Sequence, residues 1–170
     1  MHTFRTIPRR RFLLLASAAC TPFPASFARA ASEPLLIRVT HPGGSTGFTE
    51  QQFASLPQTA LTTHTAWTAG PRRFDGVRLS ALLEAAGLAQ EDLSGRRLRL
   101  LALNDYEVSI PAEDCLIFNP LLARSMDGTP MERSGKGPLW LVYPRDDFPE
   151  LIDQRYDHRW AWQLAAITLE

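Results

Sequence analysis

Phe74-Asp75-Gly76-Val77-Arg78-Leu79-Ser80-Ala81-Leu82-Leu83 is the stretch on which the reading of this chain turns. Its second half places Leu79, Leu82, Leu83 and Ala86 on one face of a helix that Gly87 ends. Its first half, Phe74 to Val77, leads into that helix from a turn at Gly70-Pro71. Upstream, Thr59 to Trp67 is rich in Thr and alternates, the pattern of a strand. Thr49 to Leu56 predicts a short helix stopped by Pro57, with Thr49 as N-cap and Gln52 as its capping-box partner. Leu35 to Thr40 predicts the first strand, ended by His41-Pro42-Gly43-Gly44. Downstream, Arg97 to Leu103 and Tyr106 to Ile110 predict two strands joined by a hairpin turn at Asn104-Asp105. A short helix is expected around Cys115, then strands at Leu121 to Arg124, Pro138 to Tyr143 and Trp162 to Leu169, with a turn at Asp127-Gly128. Strands and short helices intersperse without regular alternation, so the predicted class is α+β rather than a doubly wound sheet.

The chain has 170 residues, enough for one domain, and 45% are hydrophobic, including nine Phe, four Trp and three Tyr. Side chains of that size need a core, which excludes general disorder. Lys and Arg balance Asp and Glu at 18 each, yet the five Arg of residues 1–30 meet no acid there. The remainder, residues 31–170, therefore carries 13 basic and 18 acidic residues, a net charge of −5. An acidic body excludes nucleic acid as the main partner. Two cysteines, Cys20 and Cys115, supply neither a disulfide framework nor a multi-thiolate metal site.

Residues 1–30 read as an export signal. Arg5, Arg9, Arg10 and Arg11 precede the apolar run Phe12 to Ala19, and Ala28-Arg29-Ala30 predicts cleavage near Ala30. Arg9-Arg10-Arg11-Phe12-Leu13 also fits the twin-arginine pattern, a route for proteins already folded. A lipoprotein reading at Ser17-Ala18-Ala19-Cys20 has Ser17 where a branched apolar residue is usual. The apolar run is far shorter than the roughly 20 residues that span a bilayer, and no later stretch is longer. The expectation is a periplasmic protein of residues 31–170 with no membrane span, leaving Cys115 as a buried free thiol.

Four segments carry a family resemblance: Phe74 to Leu83, Ala102-Leu103-Asn104-Asp105-Tyr106, Gly137-Pro138-Leu139-Trp140-Leu141-Val142-Tyr143-Pro144 and Trp160-Ala161-Trp162-Gln163-Leu164. In this order they resemble small exported bacterial relatives of the sulfite-oxidase-type molybdopterin-binding domain. The resemblance implies a mixed sheet with short helices in a single compact domain, and it implies a molybdopterin cofactor whose molybdenum is ligated by a cysteine thiolate. That ligand is expected within Thr62-Thr63-His64-Thr65-Ala66-Trp67, where this chain has no cysteine. Cys115 does not match the motif. The resemblance thus implies the fold, while the missing thiolate leads to the expectation that no cofactor is bound.

His64, beside Trp67, stands where the resemblance places the metal's surroundings, as a ligand or proton-transfer group, or simply as a polar residue on a Thr-rich strand. His41 and His158 have no neighbour at metal-ligand spacing. Asn104, Asp105 and Tyr106 read either as hairpin chemistry or as a polar loop over the pocket, with Asp105 accepting and Tyr106 donating. In Arg133-Ser134-Gly135-Lys136-Gly137-Pro138, the chain's only lysine lies between glycines that would bring backbone amides to an anion. Lys136, Arg145, Arg155 and Arg159 could together line an anion pocket, or the arginines could pair with Asp146, Asp147, Asp153 and Asp157. Trp140, Trp160 and Trp162 read as core. Two functions follow: a cofactor-free binding or signalling module for a small anion or a periplasmic or membrane protein partner, or a molybdopterin-dependent oxidoreductase with a minimal site.

Overall fold

Leu35–His41 (β1) and Gly44–Thr49 (β2) form an antiparallel hairpin across Pro42-Gly43, and Thr49 then caps the helix Glu50–Ser55 (α1). The capping box is present as predicted, with the Gln52 amide donating to Thr49 Oγ1 and the Thr49 amide to Gln52 Oε1. β2 went unforeseen, because Ser45-Thr46-Gly47 lacks the apolar alternation that marks a strand. The structure, a computed structural model, describes residues 33–170. The export-signal reading lies outside the described residues.

Gln58–Thr63 (β3) pairs with Arg72–Arg78 (β4), which pairs in turn with Leu121–Met126 (β7). Phe74 to Val77, expected as a lead-in to a helix, is thus the middle of a strand with partners on both sides. Phe74 and Val77 are fully buried in the core. Gly76 is required by close approach: a Cβ there would run into Leu122 O and lie 2.9 Å from Ala123 Cα, on the neighbouring strand β7. A register shift falls between Asp75 and Gly76 at the same point. The helix Leu79–Ala85 (α2) follows at once, with Leu79, Leu82 and Leu83 buried, and Gly87 leaves it at φ 91°. The loop before β7 serves the start of α2, since Leu79 N donates to Pro120 O and Ser80 N to Asn119 Oδ1.

Arg97–Ala102 (β5) and Glu107–Pro111 (β6) form the predicted hairpin, followed by a short helix, Asp114–Ile117 (α3). Thr129–Pro130 (β8) returns against the end of β7, and Trp140–Val142 (β9), shorter than the expected strand, pairs with the start of β7 along the same edge, opposite β4. Leu164–Leu169 (β10) runs parallel to β1 and antiparallel to β5. The architecture is α+β, as expected, with two sheets: β2-β1-β10-β5-β6, which is mixed, and β3-β4-β7-β8 with β9. One apolar core draws on both, including Ile37, Val39, Leu100 and Ile167 from the first and Phe74, Leu122, Trp140 and Leu141 from the second. Each such side chain contributes about 1.5–3 kcal/mol on burial. Residues 33–170 form one compact unit, and none of their helices is long and apolar enough to cross a membrane.

Candidate functional site

β3 ends at Thr63, four residues earlier than expected, because the next residues bond to a different part of the chain. His64 N donates to Asp146 Oδ2 at 3.1 Å, and its ring Nδ1 lies 3.0 and 3.1 Å from the two Asp146 carboxylate oxygens. Asp146 N donates back to Thr63 Oγ1 at 3.2 Å. His64 therefore fastens the end of β3 to the loop after β9, with its ring largely in water.

Freed from the strand, Trp67 meets the other three tryptophans of the chain. Its ring centroid lies 6.1 Å from Trp140, 5.7 Å from Trp160 and 5.5 Å from Trp162, inclined at 56–71°. Such inclined pairs are favourable by about 0.5–1.5 kcal/mol each beyond their area. Trp140 and Trp160 are core, as expected; Trp67 remains 37% exposed and Trp162 half-buried. A cavity of about 270 Å³ lies on one side, lined by Trp67, Tyr106, Asp157, His158, Trp160 and Trp162. A second, of about 300 Å³, is lined by Trp67, Thr68, Met126, Met131, Glu132 and Lys136, among others. Trp67 lines both lobes.

Lys136 reaches into this cluster, its ammonium 4.6 Å from the Trp162 ring centre and 5.2 Å from Trp140. The geometry is cation–π, worth about 0.5–2 kcal/mol depending on desolvation. The flanking glycines act differently from the expectation. Gly135 N and Gly137 N both donate to Glu132 O at 3.0 Å, so neither amide is free for an anion. Gly137 is required because a Cβ would collide with Met131 O and C. The loop is held from outside by Gln163, whose amide donates to Lys136 O while its side chain donates to Arg133 O and Gly135 O, each at 2.9–3.0 Å. Sequence reasoning missed Gln163; its one signal was its place in Trp160-Ala161-Trp162-Gln163-Leu164.

Asn104 and Asp105 make the hairpin turn, with Asp105 at φ 62° and Asn104 Oδ1 accepting from Tyr106 N. Tyr106 stands on the 270 Å³ lobe and donates its hydroxyl to His158 O at 3.1 Å. The arginines do not gather into an anion pocket. Arg145 donates to Asp157 Oδ1 at 3.1 Å and to Ile152 O at 2.8 Å. Arg155 pairs with Asp153 at 2.8 Å, its side chain 85% exposed. Arg159 meets both Asp114 oxygens at 2.8–2.9 Å. The acids interleaved with these arginines in sequence neutralise Arg145 and Arg155 in space. Among the described residues Lys136 takes part in no ion pair.

Beneath the cleft Asp114, 2% exposed, also accepts from Tyr143 Oη at 2.7 Å. Burial, then the Asp114 charge, pushes the Tyr143 hydroxyl well above its usual pKa. Cys115, 1% exposed, has its thiol pushed up to about 11 by burial and next by the Asp114 carboxylate. It packs in the core with α3.

A two-sheet α+β domain with an aromatic cleft formed by the loops at the junction of its sheets is the class these observations define. The chain belongs to the oxidoreductase molybdopterin binding domain family, which matches residues 46–146. No curated protein matches the chain. The donors present do not fit a thiolate-ligated molybdenum. Residues 62–67 offer an Asp-bound imidazole and an indole, the described cysteine is a protonated core thiol, and no group of three or more His, Cys, Asp or Glu among the described residues is arranged to hold a metal ion.

Proposed function

We propose that this chain is an exported bacterial protein that uses the molybdopterin-binding fold without the cofactor, as a binding or signalling module for a small anion or for a periplasmic or membrane protein partner. One observation carries the reading: within residues 62–67, where the resemblance would put the thiolate, there is no cysteine and Trp67 joins an aromatic cluster. Trp67, Tyr106 and Lys136 are the ligand-binding residues, with Asn104 and Asp105 shaping the turn that presents Tyr106 and His64 anchoring the segment that presents Trp67. Arg145 and Arg155, committed to Asp157 and Asp153, serve the framework. Export is supported by the basic and apolar pattern of residues 1–30, and exchange of Arg9-Arg10 for Lys-Lys tests the twin-arginine route.

The deciding experiment is molybdenum and pterin content of the protein purified from the periplasm of a molybdenum-replete host. The expected result is a folded protein with neither. Near-stoichiometric molybdenum would overturn the reading in favour of a minimal-site oxidoreductase, the alternative that family membership favours, with His64 the first ligand to test.

A further inference from the structure

The 300 Å³ lobe has one cation, one exposed indole face and apolar walls. Lys136 supplies the charge; Trp67, Met126 and Met131 supply the walls; Thr68 and Thr129 add hydroxyls. The volume is at the small end of the roughly 300–1,000 Å³ typical of ligand sites. An inorganic oxyanion such as sulfate needs several convergent donors. The Gly135 and Gly137 amides are spent on Glu132 O, Arg145, Arg155 and Arg159 are spent on carboxylates, and no arginine lines this lobe. A cationic ligand would meet the Lys136 ammonium already seated over Trp140 and Trp162. Glu132, on the same rim, accepts from Ser134 Oγ at 3.2 Å and keeps its negative charge, so an anionic group must sit on the Lys136 side of the lobe. What remains complementary is a monoanion whose single charge sits on a flat, apolar body.

We propose that this lobe binds a small aromatic carboxylate, with its ring against Trp67 between Met126 and Met131 and its carboxylate on the Lys136 ammonium. The assignment rests on the binding-module reading and names its ligand class. Met side chains adapt to rings of differing outline and contact them favourably through sulfur, so the lobe selects by charge and planarity more than by substituent. Gln163 fixes the loop that carries Lys136, so the charge is positioned before the ligand arrives.

Two features make the test direct: Lys136 is the only lysine, and all four tryptophans lie in the one cluster. The full chain is titrated with benzoate, benzamide, benzyltrimethylammonium and sulfate while intrinsic tryptophan emission is recorded, and molybdenum is assayed in the same sample. Benzoate should change the emission saturably, and benzamide should bind about 10-fold or more weakly, as loss of a charge-assisted hydrogen bond requires. Lys136→Met should bring benzoate down to the benzamide level. Because benzamide probes the unaltered protein, misfolding of the variant cannot mask the answer. Equal binding of benzoate and benzamide, tighter binding of the ammonium ion or of sulfate, or no benzoate binding up to about 10 mM would overturn the ligand class. Molybdenum in the sample would instead overturn the reading on which it rests.

Discussion

Removing the Asp114 carboxylate should destabilise the protein out of proportion to its size. Asp114 is the buried centre of a three-residue arrangement: Tyr143 Oη donates to it at 2.7 Å and Arg159 Nη1 at 2.8–2.9 Å. In Asp114→Ala the Arg159 guanidinium, mostly buried and with its Nε already unpartnered, loses its only carboxylate, and the Tyr143 hydroxyl loses its acceptor. Breaking a buried pair from one side costs about 3–5 kcal/mol, much of the total of about 5–15 kcal/mol that holds a domain together. With a urea m-value of about 1.5–2 kcal/mol/M, the midpoint falls by about 2 M. The matched control is Asp153→Ala, which breaks the exposed pair with Arg155 and the cap on Arg155 N, and should lower the midpoint far less. The double variant Asp114→Ala/Arg159→Met leaves no buried charge unpaired and should recover part of the loss. Urea unfolding followed by far-ultraviolet circular dichroism measures all three. An Asp114→Ala cost no larger than that of Asp153→Ala, or a double variant as unstable as the single one, would refute the reasoning. The cleft should respond as well, since Arg159 ends the turn that carries Asp157 and His158 to its wall.

Two further outcomes follow from the same neighbourhood. The Cys115 thiol has its folded pKa raised to about 11 from an ordinary value near 9.0, so the native state holds a proton that the unfolded chain releases. Its contribution is full below pH 9.0 and is lost as pH rises towards about 11, at most about 3 kcal/mol over that window. Tyr143 acts in the same direction at higher pH. Cys115→Ala should flatten the alkaline limb of stability against pH, and thiol reagents should label the native protein only at its unfolding rate; rapid labelling at neutral pH would contradict the buried placement. At the cleft, Gln163→Ala removes two bonds from the Lys136 loop, so the Gly135 and Gly137 amides should exchange hydrogen faster while the sheet amides do not.

Local signals carried most of the fold. The capping box at Thr49, the leucine face of α2 and the Asn104-Asp105 turn each rest on residues within a few positions of one another, and each is present in the structure. β4 was obscured because Phe74-Asp75-Gly76-Val77 contains a glycine that weakens the strand pattern; its reason is the backbone of β7, more than forty residues on in sequence. β2 was obscured by its polar composition. At the site, Trp67, Tyr106 and Lys136 were singled out by residue type and do line the cleft. The partners that decide what they can do were not legible, because Asp146 for His64 and Gln163 for the Lys136 loop come from distant segments. The interleaving of Arg with Asp between Arg145 and Arg159 was visible, and it foretold neutralised arginines better than it foretold an anion pocket.

The two sheets bring the exits of β3 and β5, the entry to β9 and the approach to β10 to one place, whatever the loops carry. In this chain those loops carry four indoles in mutual contact, with ring centroids 5.5–6.4 Å apart where they pair. A bulky group bound against residues 62–67 would have to compete with Trp67 for its three ring contacts, each worth about 0.5–1.5 kcal/mol, and would find no thiolate in return. The same cluster gives Lys136 a seat on π faces rather than on a carboxylate, so its charge stays available to a ligand. On the proposed reading these are two sides of one local chemistry: the segment that offers a metal centre no thiolate is the segment whose indoles would seat a flat ring with a single negative charge.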